Sequence, residues 1–412
     1  MIEEYPTLDD IDYSGRSVLV RVDINAPIVE GEILDTTRFR AHIPTIRELE
    51  DCRVVLLAHQ SRPGKKDFTT LKKHAEVFSR LLNREVEYID EVFSECAVKR
   101  ILEMDAGDIL LLENVRFYSE EELKKTPEEH AGSYIVSKLY RYFDFYVNDA
   151  FSASHRGHAS LVGFPVVLPS VIGRLVEKEV RALSNALGSE GEKAFVLGGA
   201  KISDSVNVMK NVLEKGIAER VFLTGVVANY FLMLMGYDLG EKNIRIVEDN
   251  KEGIDDSEMK KLLKNYEDRI VLPVDFGCEI GGERVDISVE EFFRMDDKPP
   301  IKDIGRETVE MFSREIESYD IAVINGPAGV FEEEEFAYGT FEILRAVSRA
   351  GFSVVGGGHI SSAARLAGLE DKVSHISTGG GASIRFLSGE KLVALETIKK
   401  YWNEKWCHSH RL

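Results

Sequence analysis

The chain has 412 residues, of which 30% are charged and 44% apolar, and a formal net charge of -19. That length exceeds one ordinary core and suits two α/β domains, each able to bury most of its apolar surface without disulfide staples. The charge opposes general binding to nucleic acid or anionic lipid, and neither a signal peptide in MIEEYPTLDD nor a run of about 18 apolar residues offers a route into a membrane. Cys52, Cys96, Cys278 and Cys407 are scattered without CxxC spacing, which points to a reducing compartment and a cytoplasmic location. Gln60 is the sole glutamine, so the composition reads either as thermophile-like or as ordinary drift.

Short apolar, β-branched runs alternate with longer amphipathic segments, the pattern of βαβ units around parallel sheets. In the first half, strands are expected at Ser17–Val22, Arg53–Ala58, Ile109–Leu112 and Phe145–Asn148, with helical patterns opening near Thr36, Thr69, Glu91 and Thr126. The segment from Val171 to Gly188 has helical periodicity, follows Pro165 and Pro169, ends at a glycine, and is expected to be a connecting helix. Further strands are expected at Ala194–Leu197, Arg220–Leu223, Ile270–Val274, Ile321–Ile324 and Ser353–Val355. The Gly- and acid-rich stretch from Cys278 to Lys302 reads as an excursion from the second sheet. The expected organisation is two Rossmann-like lobes, each a mainly parallel sheet flanked by helices, with a cleft between them. Their limits are 1–170 and 190–388, joined by a hinge at 171–189 and followed by 389–412, an amphipathic helix returning to the first lobe.

Polar and basic residues recur just past the strands of the first half, where open α/β sheets bind ligands. Asp23 and Asn25 follow the first strand in RVDINAPI, and Arg38 stands in TTRFR. His59 and Arg62 follow the second strand in AHQSRPG, Arg116 the third in LLENVRFY, and Arg156, between His155 and His158, the fourth. Any one of these arginines is most simply a solvated ion-pair partner. Their recurrence at one topological position on so acidic a chain makes a focused anion site the more economical reading, because guanidinium forks pair with carboxylate and phosphate.

In the second half, glycine clusters follow strands in LGGAK, VVGGGHISS and STGGGAS. Glycine lets backbone N–H groups approach phosphate oxygens, and a helix starting just beyond adds its positive end, although each cluster alone is equally a tight turn. Neither GxxxxGK[ST] nor GxGxxG is present, which argues against a P-loop and against a nicotinamide fingerprint.

The segments RVDINAPI, TRFRAHIPTI, AHQSRPG, LLENVRF, NDAFSASHRGHAS, GGAKISD, INGPAGVFE, VVGGGH and STGGGAS resemble, in order and spacing, the motifs of phosphoglycerate kinase across nearly the whole chain. The resemblance implies reversible phosphoryl transfer between 1,3-bisphosphoglycerate and ADP, giving 3-phosphoglycerate and ATP, with Mg²⁺ accompanying the nucleotide. It implies that Asp23, Asn25, Arg38, His59, Arg62, Arg116 and Arg156 hold the phosphoglycerate. Arg38 and Lys201 would act on the moving phosphoryl group. The nucleotide would meet Gly199 and Gly225 near its base, Glu332 at its ribose, and Gly356, Gly357, Gly358, His359, Gly380 and Gly381 around its phosphates. PVDFG (Pro273–Gly277) and DIG (Asp303–Gly305) also look like family segments, with a sheet-edge turn as the equally good plain reading.

Two positions depart from the family pattern. Ser205 stands where a second lysine usually follows Lys201, and His359 where an aspartate usually helps to hold Mg²⁺, an ion that prefers oxygen ligands, so the metal ligands are unknown. Both departures resemble the archaeal branch of the family. The alternatives are a non-catalytic relative that binds both ligands, or a sugar or small-acid kinase on another α/β fold, which leaves the serial arginines unexplained. A monomer or a homodimer is expected. Cys407, His408 and His410 near the C-terminus are not assigned a metal role.

Overall fold

Runs such as SVLVR at Ser17–Arg21 and IAVIN at Ile321–Asn325 are buried at every position, as a parallel strand covered on both faces by helices requires. The computed structural model describes residues 4–407 and separates the chain into two units. One comprises the chain up to Arg181 and from Lys391 onward, the other Ala182–Glu390.

In the first unit β1 (Ser17–Arg21) leads into a hairpin of β2 (Ile28–Val29) and β3 (Glu32–Ile33). β4 (Arg53–Leu57), β5 (Glu87–Tyr88), β6 (Ile109–Leu111), β7 (Phe145–Asn148) and β8 (Ser170–Ile172) follow. Without the hairpin they form a parallel sheet in the order β5-β6-β4-β1-β7-β8. The chain winds outward in opposite directions from β1 and β7, so the loops beyond their C-terminal ends part and leave a crevice for ligands.

In the second unit the strands are β9 (Lys193–Leu197), β10 (Arg220–Leu223), β11 (Ile270–Val271), β12 (Asp275–Ile280), β13 (Glu283–Ser288), β14 (Ile301–Ile304), β15 (Ile321–Asn325), β16 (Phe352–Gly356) and β17 (His375–Ile376). The main sheet is parallel, ordered β11-β10-β9-β15-β16-β17, and its winding reverses between β9 and β15. The fold is thus two parallel-sheet α/β units flanked by helices.

The expected strands are present, and the differences concern ends and short elements. Val171 and Ile172 open no helix; they belong to β8, paired with Val147 and Asn148, and the connecting helix runs Arg174–Gly188. Their β-branched side chains are fully buried, and one sheet edge takes them before the helix can start. The strand expected at Ile270–Val274 stops at Val271, and Asp275 begins an antiparallel sheet of β13-β12-β14, which is the form taken by the expected excursion. β5 and β17, of two residues each, are too short to show a periodicity.

The C-terminal helix, Val393–Tyr401, packs on the first unit. Ala394 lies in an apolar cluster with Ala150, Ala153, Leu161 and Val162, and its N–H donates to the Ser154 carbonyl at 3.0 Å. It therefore buttresses the loop that follows β7. His408 and His410 lie outside the described residues.

Candidate functional site

Each unit carries a site at the carboxyl ends of its strands. In the first unit the chain leaves β1 through Asp23, whose side chain is buried. Arg38 Nη1 donates to Asp23 Oδ2 at 2.7 Å, the Ser152 hydroxyl donates to the same oxygen, and the Asn25 N–H reaches Oδ1 at 3.1 Å. Burial pushes the Asp23 carboxyl up, but Arg38 and these hydrogen bonds outweigh it and hold the group well below the usual carboxylate range. Asn25 Oδ1 accepts from the Ser61 N–H at 2.8 Å and so ties the loop after β1 to the loop after β4.

His59 is buried beside this group. Burial holds it well below the ordinary imidazole value, and the neighbouring charges of Arg21, Arg116 and Arg156 add to the effect against Asp23. His158 is pushed down to about 3 by burial and then by Arg116, Arg156 and Arg21. Both imidazoles are neutral near pH 7, so neither adds to nor cancels the arginine charge. Arg116 is buried; Nη1 donates to the Ser61 carbonyl, and Nε lies 2.9 Å from Glu122 Oε1 as an ion pair without hydrogen-bond alignment. Asp23, Asn25, Arg38, His59, Arg116 and Arg156 are thereby brought together. Arg62 is exposed, and its guanidinium makes no hydrogen bond or ion pair among the described residues.

Sequence reasoning missed Arg21, the last residue of β1, which has no exposed surface. Its Nε donates to Ser160 Oγ at 2.8 Å, Nη1 donates to the Val22 carbonyl, and Nη2 is 3.1 Å from His59 Nδ1. Ser160 in turn donates to buried Glu121, Oγ to Oε1 at 2.6 Å and N to Oε2 at 2.8 Å. Burial raises the Glu121 carboxyl, against the pull of Arg21, Ser160 and Arg116. The available signal was an arginine inside the otherwise apolar strand run SVLVRV.

In the second unit a cavity of about 530 Å³ opens past β9, β15 and β16. Gly199, Lys201, Gly225, Glu332, Gly357, Gly358, His359, Gly380 and Gly381 line it. Gly356 does not: it is the last residue of β16, buried and paired with Asn325, so its backbone is consumed by the sheet. Gly326 has φ +84°, and a Cβ there would come 2.3 Å from the Gly198 carbonyl, so the loops after β9 and β15 meet backbone to backbone.

Four helices begin at this cavity, Ile202–Glu214, Gly225–Leu234, Gly358–Leu366 and Gly381–Leu387, and none has a side-chain cap. Their first-turn N–H groups are left without intrahelical acceptors, which gives the walls a positive polarity suited to phosphate. Lys201, exposed at the first of these termini, makes no hydrogen bond or ion pair among the described residues. Ser205 also lines the cavity with little exposed surface, and its hydroxyl donates to the Gly198 carbonyl at 3.2 Å, so it braces the loop. His359 is exposed at the start of the third helix.

The two further family-like segments contribute Pro273, Phe276, Asp303 and Ile304 to the cavity wall, and their aspartates make internal bonds. Asp275 accepts from the Glu307 N–H at 2.9 Å, from the Thr308 N–H at 2.7 Å and from the Thr308 hydroxyl at 2.5 Å, and so caps the Arg306–Ile316 helix. Asp303 accepts from Arg284 Nη1 and from the Gly339 N–H, each at 2.7 Å, and burial pushes its carboxyl up to about 6 against these bonds.

Residues 8–390 match the family model for phosphoglycerate kinase. The phosphoglycerate kinase of Archaeoglobus fulgidus is 66% identical over 98% of this chain and 99% of its own length. Phosphoglycerate kinase 2 of Methanosarcina acetivorans is 48% identical over 95% and 94%. The solved structure of the Pyrococcus horikoshii phosphoglycerate kinase, 38% identical, covers 97% of this chain and 99% of its own with a TM-score of 0.87. That of the Coxiella burnetii enzyme, 27% identical, gives 0.80 with 96% and 99% covered. Nothing in these likenesses favours a non-catalytic relative. Sequence and fold agree over nearly the full length, and the chain belongs to the phosphoglycerate kinase family of glycolytic phosphotransferases.

Proposed function

We propose that the arginine cluster of the first unit takes 3-phosphoglycerate, or the acyl phosphate of 1,3-bisphosphoglycerate, and that the cavity of the second takes ADP or ATP with Mg²⁺. The observation that supports this most is the gathering of Arg21, Arg38, Arg116 and Arg156 around two neutral histidines on a chain of net charge -19. Asp23, Glu121 and Glu122 offset only part of the charge of these four arginines, and an anion would complete the balance.

In the ATP-forming direction a β-phosphate oxygen of ADP attacks the acyl phosphorus, and the carboxylate of 3-phosphoglycerate leaves with the bonding pair. Little covalent chemistry is asked of the protein, and catalysis rests on alignment and charge stabilisation. Arg38 steadies the transferring group from the phosphoglycerate side and Lys201 from the nucleotide side, while open helix N–H groups at Gly358, His359 and Gly381 receive the nucleotide phosphates. Glu332 takes the ribose. Mg²⁺, when bound, would supply positive charge that offsets that of the phosphates. Of the cavity carboxylates, Asp303 is committed to Arg284, whereas Asp204 and Glu332 make no hydrogen bond or ion pair among the described residues. Asp204, three residues past Lys201, is the carboxylate that would help to hold the ion.

Direct transfer requires that the substrates meet and that water be kept from the acyl phosphate, so ligand-driven closure about the 171–189 hinge belongs to the proposal. The enzyme is cytoplasmic and works as a monomer or homodimer without nucleic acid or membrane partners. Purified protein given 3-phosphoglycerate, ATP and Mg²⁺ in a coupled assay should turn over, with activity lost on chelation. Binding of both ligands without turnover would refute the catalytic roles, and a scattering radius unchanged by both ligands would refute closure.

A further inference from the structure

His42 lies on the Thr37–Glu48 helix, four positions after Arg38 and hence on the same face. Both side chains turn to Asp23, Arg38 to its carboxylate and His42 to its backbone. The imidazole is buried, with Nε2 3.0 Å from the Asp23 N–H and Nδ1 2.7 Å from Asp149 Oδ2. The buried Asp23 N–H needs an acceptor, so Nε2 accepts and the ring proton sits on Nδ1, donated to Asp149. Nε2 is also 3.1 Å from the Asp23 carbonyl, a contact this tautomer leaves unused.

Asp149 continues the chain of bonds. Its Oδ1 accepts from the Leu175 N–H at 2.9 Å, in the first turn of the Arg174–Gly188 helix. Gly173 permits the approach, since a Cβ there would lie 2.2 Å from Asp149 Oδ1. The same Thr37–Glu48 helix holds that turn twice more, through Thr45 Oγ1, which accepts from the Arg174 N–H at 2.9 Å, and Glu48, which accepts from Arg174 Nε at 2.6 Å. An unbroken path therefore runs from the Arg38–Asp23 pair through His42 and Asp149 to the start of the connecting helix.

We propose that His42 is a positioning residue that couples occupancy of the arginine site to the first turn of the Arg174–Gly188 helix. An anion engaging Arg38 alters the pull of that guanidinium on Asp23. The Asp23 backbone is fixed by one bond to a rigid ring, and the opposite nitrogen of that ring sets the Asp149 carboxylate that caps the helix. The proposal rests on the reading that the arginine site takes 3-phosphoglycerate.

The test is hydrogen–deuterium exchange of peptides covering residues 173–176 in the full-length enzyme, with and without saturating 3-phosphoglycerate. It is run on wild type, His42→Gln and His42→Leu. Glutamine offers one donor and one acceptor at a spacing close to that of the ring nitrogens, whereas leucine keeps the bulk and breaks both bonds. The ligand should slow exchange about five-fold or more in wild type and His42→Gln, and less than about two-fold in His42→Leu. The KM for 3-phosphoglycerate should rise in His42→Leu alone, with the nucleotide KM unchanged. A residue that merely fills space would leave the response intact in His42→Leu, and that result overturns the proposal. So does an equal loss in both variants, or a wild type that binds 3-phosphoglycerate by calorimetry without slowing at 173–176. Absence of calorimetric binding to wild type would instead remove the substrate reading on which the coupling is built.

Discussion

Replacing Arg21 by methionine tests whether the buried Arg21–Ser160–Glu121 group is an electrostatic unit. Arg21 and Glu121 have no exposed surface, and the Ser160 hydroxyl stands between them, accepting from Arg21 Nε at 2.8 Å and donating to Glu121 Oε1 at 2.6 Å. Methionine fills much of the space but leaves Glu121 as a buried charge without its cation. Breaking one side of such a pair costs about 3–5 kcal/mol. Glu121→Gln strands Arg21 instead and should cost a similar amount. In the double variant no unpaired charge remains: the glutamine oxygen accepts from the Ser160 N–H and its amide donates to Ser160 Oγ, which Arg21 no longer occupies. The double variant should therefore cost about as much as one single change, a coupling of roughly 3 kcal/mol. The chain supplies its own probe, because its two tryptophans, Trp402 and Trp406, both belong to the first unit, and Trp402 packs against that unit's core. Urea unfolding followed by tryptophan fluorescence reads the effect. Strictly additive losses, or an Arg21→Met loss below about 1 kcal/mol, would refute the reasoning.

Arg38→Ala should lower turnover by about 10²–10³-fold while leaving the nucleotide KM nearly unchanged, since a positive group aimed at developing charge acts mainly in the transition state; steady-state kinetics with unchanged turnover would remove its role. Burial lowers His74 to about 4 and His158 to about 3 from 6.5, so the unfolded chain binds protons first as pH falls. Stability is then full above pH 6.5 and declines through 4 and 3, and a urea midpoint by fluorescence that stays flat between pH 7.5 and 4.5 would contradict this. Ser205→Lys, which restores the cation usual in the family, should weaken ADP binding in calorimetry. The hydroxyl braces the Gly198 carbonyl at the cavity wall and has little exposed surface, so the longer side chain displaces its neighbours and the loop loses its brace; tighter binding would show instead that the ammonium reaches the nucleotide phosphates.

The two-unit plan was legible because fully buried parallel strands read as unbroken apolar runs and because polar, basic and glycine-rich segments follow strand ends. The start of the connecting helix was not, since Val171 and Ile172 satisfy a helical period equally well, and only their pairing with β7 decides between the two. Gly356 was indistinguishable from its neighbours in GGGH, although the register of β16 against β15 commits its backbone to the sheet. Arg21 failed for the opposite reason. Its position inside a strand looked like part of the core, and its partners, Ser160 and Glu121, lie more than a hundred and exactly one hundred residues away along the chain, beyond the reach of any local pattern.

The two sites answer the same topological opening with different chemistry. Beside β1 and β7 the first unit presents side-chain guanidinium groups that outnumber the carboxylates Asp23, Glu121 and Glu122 beside them, while the intervening histidines are neutral. Beside β9 and β15 the second unit presents backbone, with glycines bringing two loops into contact and four helix starts left uncapped. Forked cations grip a small, highly charged acid from several directions but need burial and rigid partners to hold their aim. Amides fixed by helices need no such support, and they suit a longer ligand whose apolar part must also be accommodated. On a chain of net charge -19, attraction for anions is therefore a local property, created where burial strengthens a few positive groups and distance screens the many negative ones.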